Sequence, residues 1–247
     1  MPDYGPYLRL PALLGLQRPV AVAHDEMLFI TTHQAFELWF KQLLVELCDA
    51  RDRMMAGECY VPRKRLERAV AVQNVVIGQF DVLDTMAPQD FLAFRPALGR
   101  GNGGQSAQFW EIALLSGARD PEQLDRPWHS DEERARLRRR YAEPTLWDGF
   151  LRVLAHAGLR TGTRVERFAA YHRIATDRDR HGVLWDLLEA MIAHDQAWAC
   201  WQDRHLLCVQ RQIGSRRGTG GTSGASHLMA HRDTRFYPEL WELRADL

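Results

Sequence analysis

The apolar residues of this chain recur mostly at steps of three and four, the period of an α-helix, and no convincing series of alternating positions marks strands. The first strong run covers residues 25–55. In it Phe29, His33, Phe36 and Phe40 share one face, and Gly57 marks the end. Pro62, suited to a first helical position, opens a second run to about Asp84. Pro88 starts a short turn or helix carrying Phe91, Phe94 and Arg95. The cluster Gly99-Arg100-Gly101-Asn102-Gly103-Gly104 is too flexible for an element interior and predicts a loop. Gln105 to Leu115 is again helical in period. Ser130 with Glu133, and Thr145 with Asp148, have capping-box spacing and predict two helix starts. A last long helix runs from about His181 to Ile213, with Gly214 as its stop. These elements predict an all-α fold: a single-domain helical bundle over residues 1–247, without a linker or an internal repeat.

Composition narrows the function. At 247 residues the chain can bury a substantial core. Its formal net charge is zero and no basic half stands out, which gives no support for nucleic-acid binding. Cys48, Cys59, Cys200 and Cys208 show neither CxxC nor CxxCH spacing and are read as reduced thiols of a cytoplasmic protein. The start, with Pro2, Asp3 and Pro6, lacks the basic and apolar regions of a signal peptide. No apolar stretch approaches the length of a membrane span.

Four features carry candidate chemistry, each with a plainer alternative. His205 shares a helical face with Trp198, Trp201 and Val209, a setting for an imidazole that ligates a haem iron; the spacing equally fits a core histidine satisfied by a carbonyl or water. His33, among Phe29, Phe36 and Phe40, suits an acceptor for an indole N–H or a base, or a core position. Arg95 beside Phe91 and Phe94 suits a substrate carboxylate, or the surface. The segment Arg217-Gly218-Thr219-Gly220-Gly221-Thr222-Ser223-Gly224 fails both the Walker A and the GxGxxG patterns and follows a helix, so it is either a hydroxyl-bearing lid or a long helix C-cap. His227 and His231 have i, i+4 spacing without a third ligand nearby and are read as a surface helix.

Taken together, these segments resemble the tryptophan 2,3-dioxygenase family of haem enzymes. The resemblance rests on Tyr4-Gly5-Pro6-Tyr7-Leu8-Arg9-Leu10, on His24-Asp25-Glu26-Met27-Leu28-Phe29-Ile30 with His33-Gln34 and Glu37-Leu38-Trp39, and on Phe94-Arg95 before Leu98-Gly99 with Gln105-Ser106 beyond. It continues in Arg217-Gly218-Thr219-Gly220-Gly221 and in Phe236-Tyr237-Pro238-Glu239-Leu240, so it spans nearly the whole chain in order.

The resemblance implies that His205 is the axial ligand of a non-covalent haem b and that His33 hydrogen-bonds the indole nitrogen. It implies that Arg95 pairs with the amino acid carboxylate, that Thr219 helps hold the ammonium and carboxylate, and that Phe29 and Phe91 line the indole pocket. It implies a homotetramer in which Tyr4, Tyr7 and Leu8, within an arm of residues 1–20, complete a neighbour's site. The expected partners are L-tryptophan or a close derivative and dioxygen, with N-formylkynurenine as product. Three positions depart from the family: Gly104 stands where Phe is usual, Trp110 where Arg is usual, and Asn102 where Ser is common. These departures keep open an alternative, insertion of one oxygen at indole C2 of a tryptophan such as a β-methylated one. Cys208, three residues after His205, is treated as core, because relatives that attach haem through cysteine carry it four residues on.

Overall fold

A computed structural model describes residues 3–219, 225, 228–229 and 234–247. His227, His231 and the glycine-rich stretch from Gly220 to Gly224 lie outside the described residues. Among the described residues there is no strand. Two short helices, α1 (Tyr4–Leu8) and α2 (Leu10–Leu13), precede the bundle. The helices that follow are α3 (Asp25–Met55), α4 (Tyr60–Leu83), α5 (Pro88–Phe94), α6 (Ala107–Ser116), α7 (Asp131–Ala142) and α8 (Leu146–His156). The chain continues through α9 (Arg164–Thr176) and α10 (Arg178–Ile213), and α11 (Pro238–Glu242) lies near the C-terminus.

Three of these helices form the frame, and each buries one stripe. On α3 the stripe is Phe36, Phe40, Leu43, Leu47, Ala50 and Met54; on α4 it is Leu66, Ala69, Gln73, Val76, Phe80 and Leu83. On α10 it is Leu184, Leu187, Met191, His194, Trp198 and Trp201, resuming at Cys208 and Gln212. Steps alternate between three and four throughout, the seam that packs helices nearly along one another. Surface ion pairs report the directions. Arg63 reaches Asp186 and Arg204 reaches Asp81 and Asp84, so α4 and α10 run parallel; Arg65 reaches Asp49 and Arg68 reaches Glu46, so α3 runs against both. The N-terminal end of α3 therefore meets the C-terminal ends of α4 and α10 at one end of the bundle.

The predicted caps form. Ser130 and Thr145 each accept the N3 backbone N–H while Glu133 and Asp148 reach back. Gly57 and Gly214 follow their helices at φ +86° and +57°, conformations that cost a side chain energy. Helix α8 lies close against α3 because Gly149 leaves room there: a Cβ would stand 2.9 Å from Met54 Cβ.

The differences from expectation are local. The end of the predicted loop, with Gln105 of the predicted helix, closes into a 3-10 turn over Gly103–Gln105, and α6 begins at Ala107, because the Ser106 hydroxyl takes the Phe109 N–H and makes Ser106 the cap. Helix α9, with its own capping box of Thr163 and Glu166, occupies a stretch to which the sequence reading assigns no element. Its apolar stripe is thin, since only Ala170, Tyr171 and Ile174 are buried.

Candidate functional site

The upper end of the bundle departs from the packing below it. Along the α10 stripe, the position between Trp201 and Cys208 is His205, and along the α3 stripe the position before Phe36 is His33. Both are core positions by register, yet both imidazoles are only half-buried. His205 has no hydrogen-bond partner among the described residues. Its ring lies 5.1 Å from the Trp201 ring and stacks at 6.0 Å on Phe80 of α4. Protein surrounds it closely enough to push its pKa down to about 4, burial acting first and the nearby His33 second. His205 is thus a neutral imidazole with free lone-pair capacity, which is the form that binds a metal.

His33 is oriented by its own helix. Its Nδ1 donates to the Phe29 carbonyl at 2.8 Å, which leaves Nε2 as an acceptor pointing away from that bond. Burial lowers its pKa and keeps it neutral, although the Phe29 bond and the Glu37 charge oppose the shift. The Phe29 ring lies 3.9 Å from the imidazole. Phe91 and Phe94 of α5 close on Phe29 at 5.9 and 5.4 Å, and Phe36 meets His33 edge-on at 5.8 Å. The result is a cluster of aromatic rings that holds one acceptor nitrogen. Phe36 continues to Trp201 at 6.4 Å, so the aromatic packing links the His33 cluster to the His205 wall.

Arg95 follows Phe94 directly, in the 3-10 turn Arg95–Leu98. It donates through Nη2 to the Arg217 carbonyl. It forms no ion pair among the described residues, so its charge is unneutralised by any described carboxylate. The Thr219 hydroxyl donates to the Gly101 carbonyl. Two contacts thus join the start of the loop after α10 to the segment from Arg95 to Gly101, which follows Phe91 and Phe94 in the chain. Tyr4, Tyr7 and Leu8, expected to complete a neighbour's site, are exposed on α1 of the single chain at 75, 72 and 41%. Phe80 and Phe109 belong to the aromatic wall but were not singled out from the sequence. Phe109 stacks on Trp198 at 4.8 Å and lies 5.4 Å from Trp201. The one sequence signal for Phe80 is its place as the last aromatic of the α4 stripe.

The donor set fits a haem better than a bare ion. No group of three ligating side chains gathers among the described residues, whereas one free imidazole stands in a wall of aromatic rings. A macrocycle needs one axial ligand and flat apolar cover. Trp201 Nε1 is also buried without a hydrogen-bond partner among the described residues. Cys208 is buried beside Asp84, and burial and that carboxylate push its thiol up to about 12, the state of a protonated packing thiol.

Comparison with known proteins agrees with this chemistry. The family model described as tryptophan 2,3-dioxygenase matches residues 2–162 and 152–247. A tryptophan 2,3-dioxygenase of a Nocardioides species is 47% identical over 99% of this chain and 94% of its own length. Those of a Polaromonas species and of Herpetosiphon aurantiacus are each 37% identical over 99% of this chain, covering 88% and 98% of their own lengths. With matches running end to end through the helices that carry both histidines, the chain belongs to the tryptophan 2,3-dioxygenase family.

Proposed function

We propose that this protein is a haem-dependent oxygenase that adds both atoms of dioxygen across the indole C2–C3 bond of L-tryptophan, giving N-formylkynurenine. The observation that carries the reading is the meeting, at one end of the bundle, of a neutral imidazole without a hydrogen-bond partner among the described residues and an aromatic cluster that holds one acceptor nitrogen and runs directly into Arg95. His205 holds the iron of haem b, and the haem supplies the centre at which dioxygen reacts. His33 Nε2 accepts the indole N–H. A site built around that bond rejects analogues lacking the donor, because its acceptor is then left unpaired. Phe29 and Phe91 hold the ring and exclude water, Arg95 takes the carboxylate, and Thr219 orients the ammonium and carboxylate.

The whole chain acts as one haem-binding helical domain and assembles as a homotetramer. In that assembly the α1 arm, with Tyr4, Tyr7 and Leu8, covers a neighbour's substrate. No helix among the described residues is long and apolar enough to cross a membrane. The free thiols fit a cytoplasmic setting. Mass spectrometry of products from the ferrous, haem-loaded protein with isotopically labelled dioxygen tests the reaction. Two labelled oxygens in a ring-opened product support it. A single labelled oxygen in an intact ring moves the chain to 2-oxindole formation.

A further inference from the structure

Four of the six residues from Gly99 to Gly104 are glycine, so this segment has unusually many conformations to lose. Its carbonyls are nevertheless held by side chains. Gln105 Nε2 donates to Arg100 O at 2.9 Å, Thr219 Oγ1 to Gly101 O, and Trp110 Nε1 to Gly104 O at 2.9 Å. Asn102 Oδ1 takes the Gly104 N–H at 3.0 Å. Of these ties, Gln105 and Asn102 belong to the segment and its turn, and Thr219 belongs to the loop after α10. Trp110 alone among them sits on a regular helix, α6. Its ring meets Phe109 edge-on at 5.0 Å and packs against the cluster of Ala107, Leu114 and Leu137. The three positions that depart from the family, 102, 104 and 110, are therefore one connected unit. A side chain at Gly104 would place its Cβ 3.1 Å from Asn102 Oδ1, tighter than an ordinary contact.

We infer that Trp110 is a positioning residue for substrate. Its indole N–H ties the glycine segment to α6, and that segment in turn receives Thr219 through Gly101 and follows Arg95 by a few residues. Trp110 touches no substrate in this scheme. It reduces the number of conformations from which the Arg95–Thr219 rim must be assembled when an α-amino acid binds. The inference rests on the proposed roles of Arg95 and Thr219.

Trp110→Phe keeps the ring and removes the donor, and Trp110→Arg restores a donor with the residue usual in the family. In the haem-loaded enzyme, Trp110→Phe is expected to raise KM for L-tryptophan about five-fold, the worth of one hydrogen bond near 1 kcal/mol, with kcat within about two-fold. In the same variant without substrate, amide exchange across residues 99–106, followed by mass spectrometry, is expected to quicken; Trp110→Arg is expected to return both readouts. Unchanged KM and exchange in Trp110→Phe would overturn the inference. So would a fall in kcat or haem content at constant KM, which marks a structural role only. Failure of Trp110→Arg to rescue would also count against it, since ring shape would then be what matters. Thr219→Ala separates the two levels: if it leaves KM unchanged, the rim assignment fails, while faster exchange in Trp110→Phe still reports the tie.

Discussion

At the scale of single residues, two histidines in equivalent register differ in what their surroundings leave open. His33 has its Nδ1 committed to the Phe29 carbonyl, whereas His205 has no committed nitrogen among the described residues. His33→Ala is expected to lower kcat/KM for tryptophan at least about ten-fold, the effect of stranding a buried indole N–H. It should also erase the preference for tryptophan over its N1-methyl analogue; a preference that survives the substitution would place the acceptor elsewhere. His205→Ala is expected to abolish stable haem incorporation, read as loss of the Soret band. A third histidine, His194, is fully buried between Ser116 at 3.0 Å and Gln73 at 3.1 Å, and burial pulls its pKa from 6.5 to about 3. Below pH 6.5 the unfolded chain takes up a proton that the folded site refuses. His194 therefore costs nothing above that pH and destabilises the fold as pH falls toward 3, by up to about 1.4 kcal/mol per pH unit. Urea unfolding between about pH 7.5 and about pH 5 should show a slope to which His194 contributes alongside His33 and His205, and His194→Gln should reduce it.

At the scale of elements, the three-four stripes on α3, α4 and α10 were legible because a helix repeats its face along the sequence. The α3 range, the stop at Gly214 and both predicted capping boxes follow from local chemistry alone. The start of α6 was less legible, since it depended on which residue would cap, and the Ser106 hydroxyl settles that. Helix α9 escaped because its stripe is short, with only Ala170, Tyr171 and Ile174 buried. The contact between α3 and α8 depends on a feature with no periodic signature, the missing side chain at Gly149. Gly149→Ala should force these helices apart and cost about 1–3 kcal/mol, despite the better helix propensity of alanine. Thermal unfolding would show a drop of roughly 2–4 °C for each kcal/mol. An unchanged or higher Tm would mean that the contact relaxes at no cost.

At the scale of the whole molecule, the exposed faces are informative. Tyr4, Tyr7, Leu14 and Leu16 stand out from the single chain, and the arm they belong to is fastened to α3. Buried Glu26 accepts the Val20 and Ala21 N–H groups at 3.0 and 2.7 Å, and Gln34 donates to Leu16 O at 3.3 Å. If the arm completes a neighbour's site, Tyr7→Ala should raise KM for tryptophan in the assembled protein without changing haem content. Sedimentation should give four times the chain mass. Mixing subunits that carry Tyr7→Ala with subunits that carry His33→Ala should restore low-KM turnover, because each supplies what the other lacks. Absence of that recovery in a verified mixed tetramer would confine the site to one chain.

The sequence by itself determined the long helices α3, α4 and α10, their repeating faces and the residue types able to bind an iron, an indole and an amino acid. These depend on neighbours three and four positions away, and local periodicity records them. Only the tertiary structure decided that α3 runs against α4 and α10, so that residues 33 and 205, far apart in the chain, meet at one end of the bundle. It also decided that Arg95 and Thr219 reach across to the Arg217 and Gly101 carbonyls, and that three scattered departures are one hydrogen-bonded unit. Such juxtapositions depend on how stripes pack across helices and on which carbonyl a side chain reaches, and neither leaves a period in the sequence.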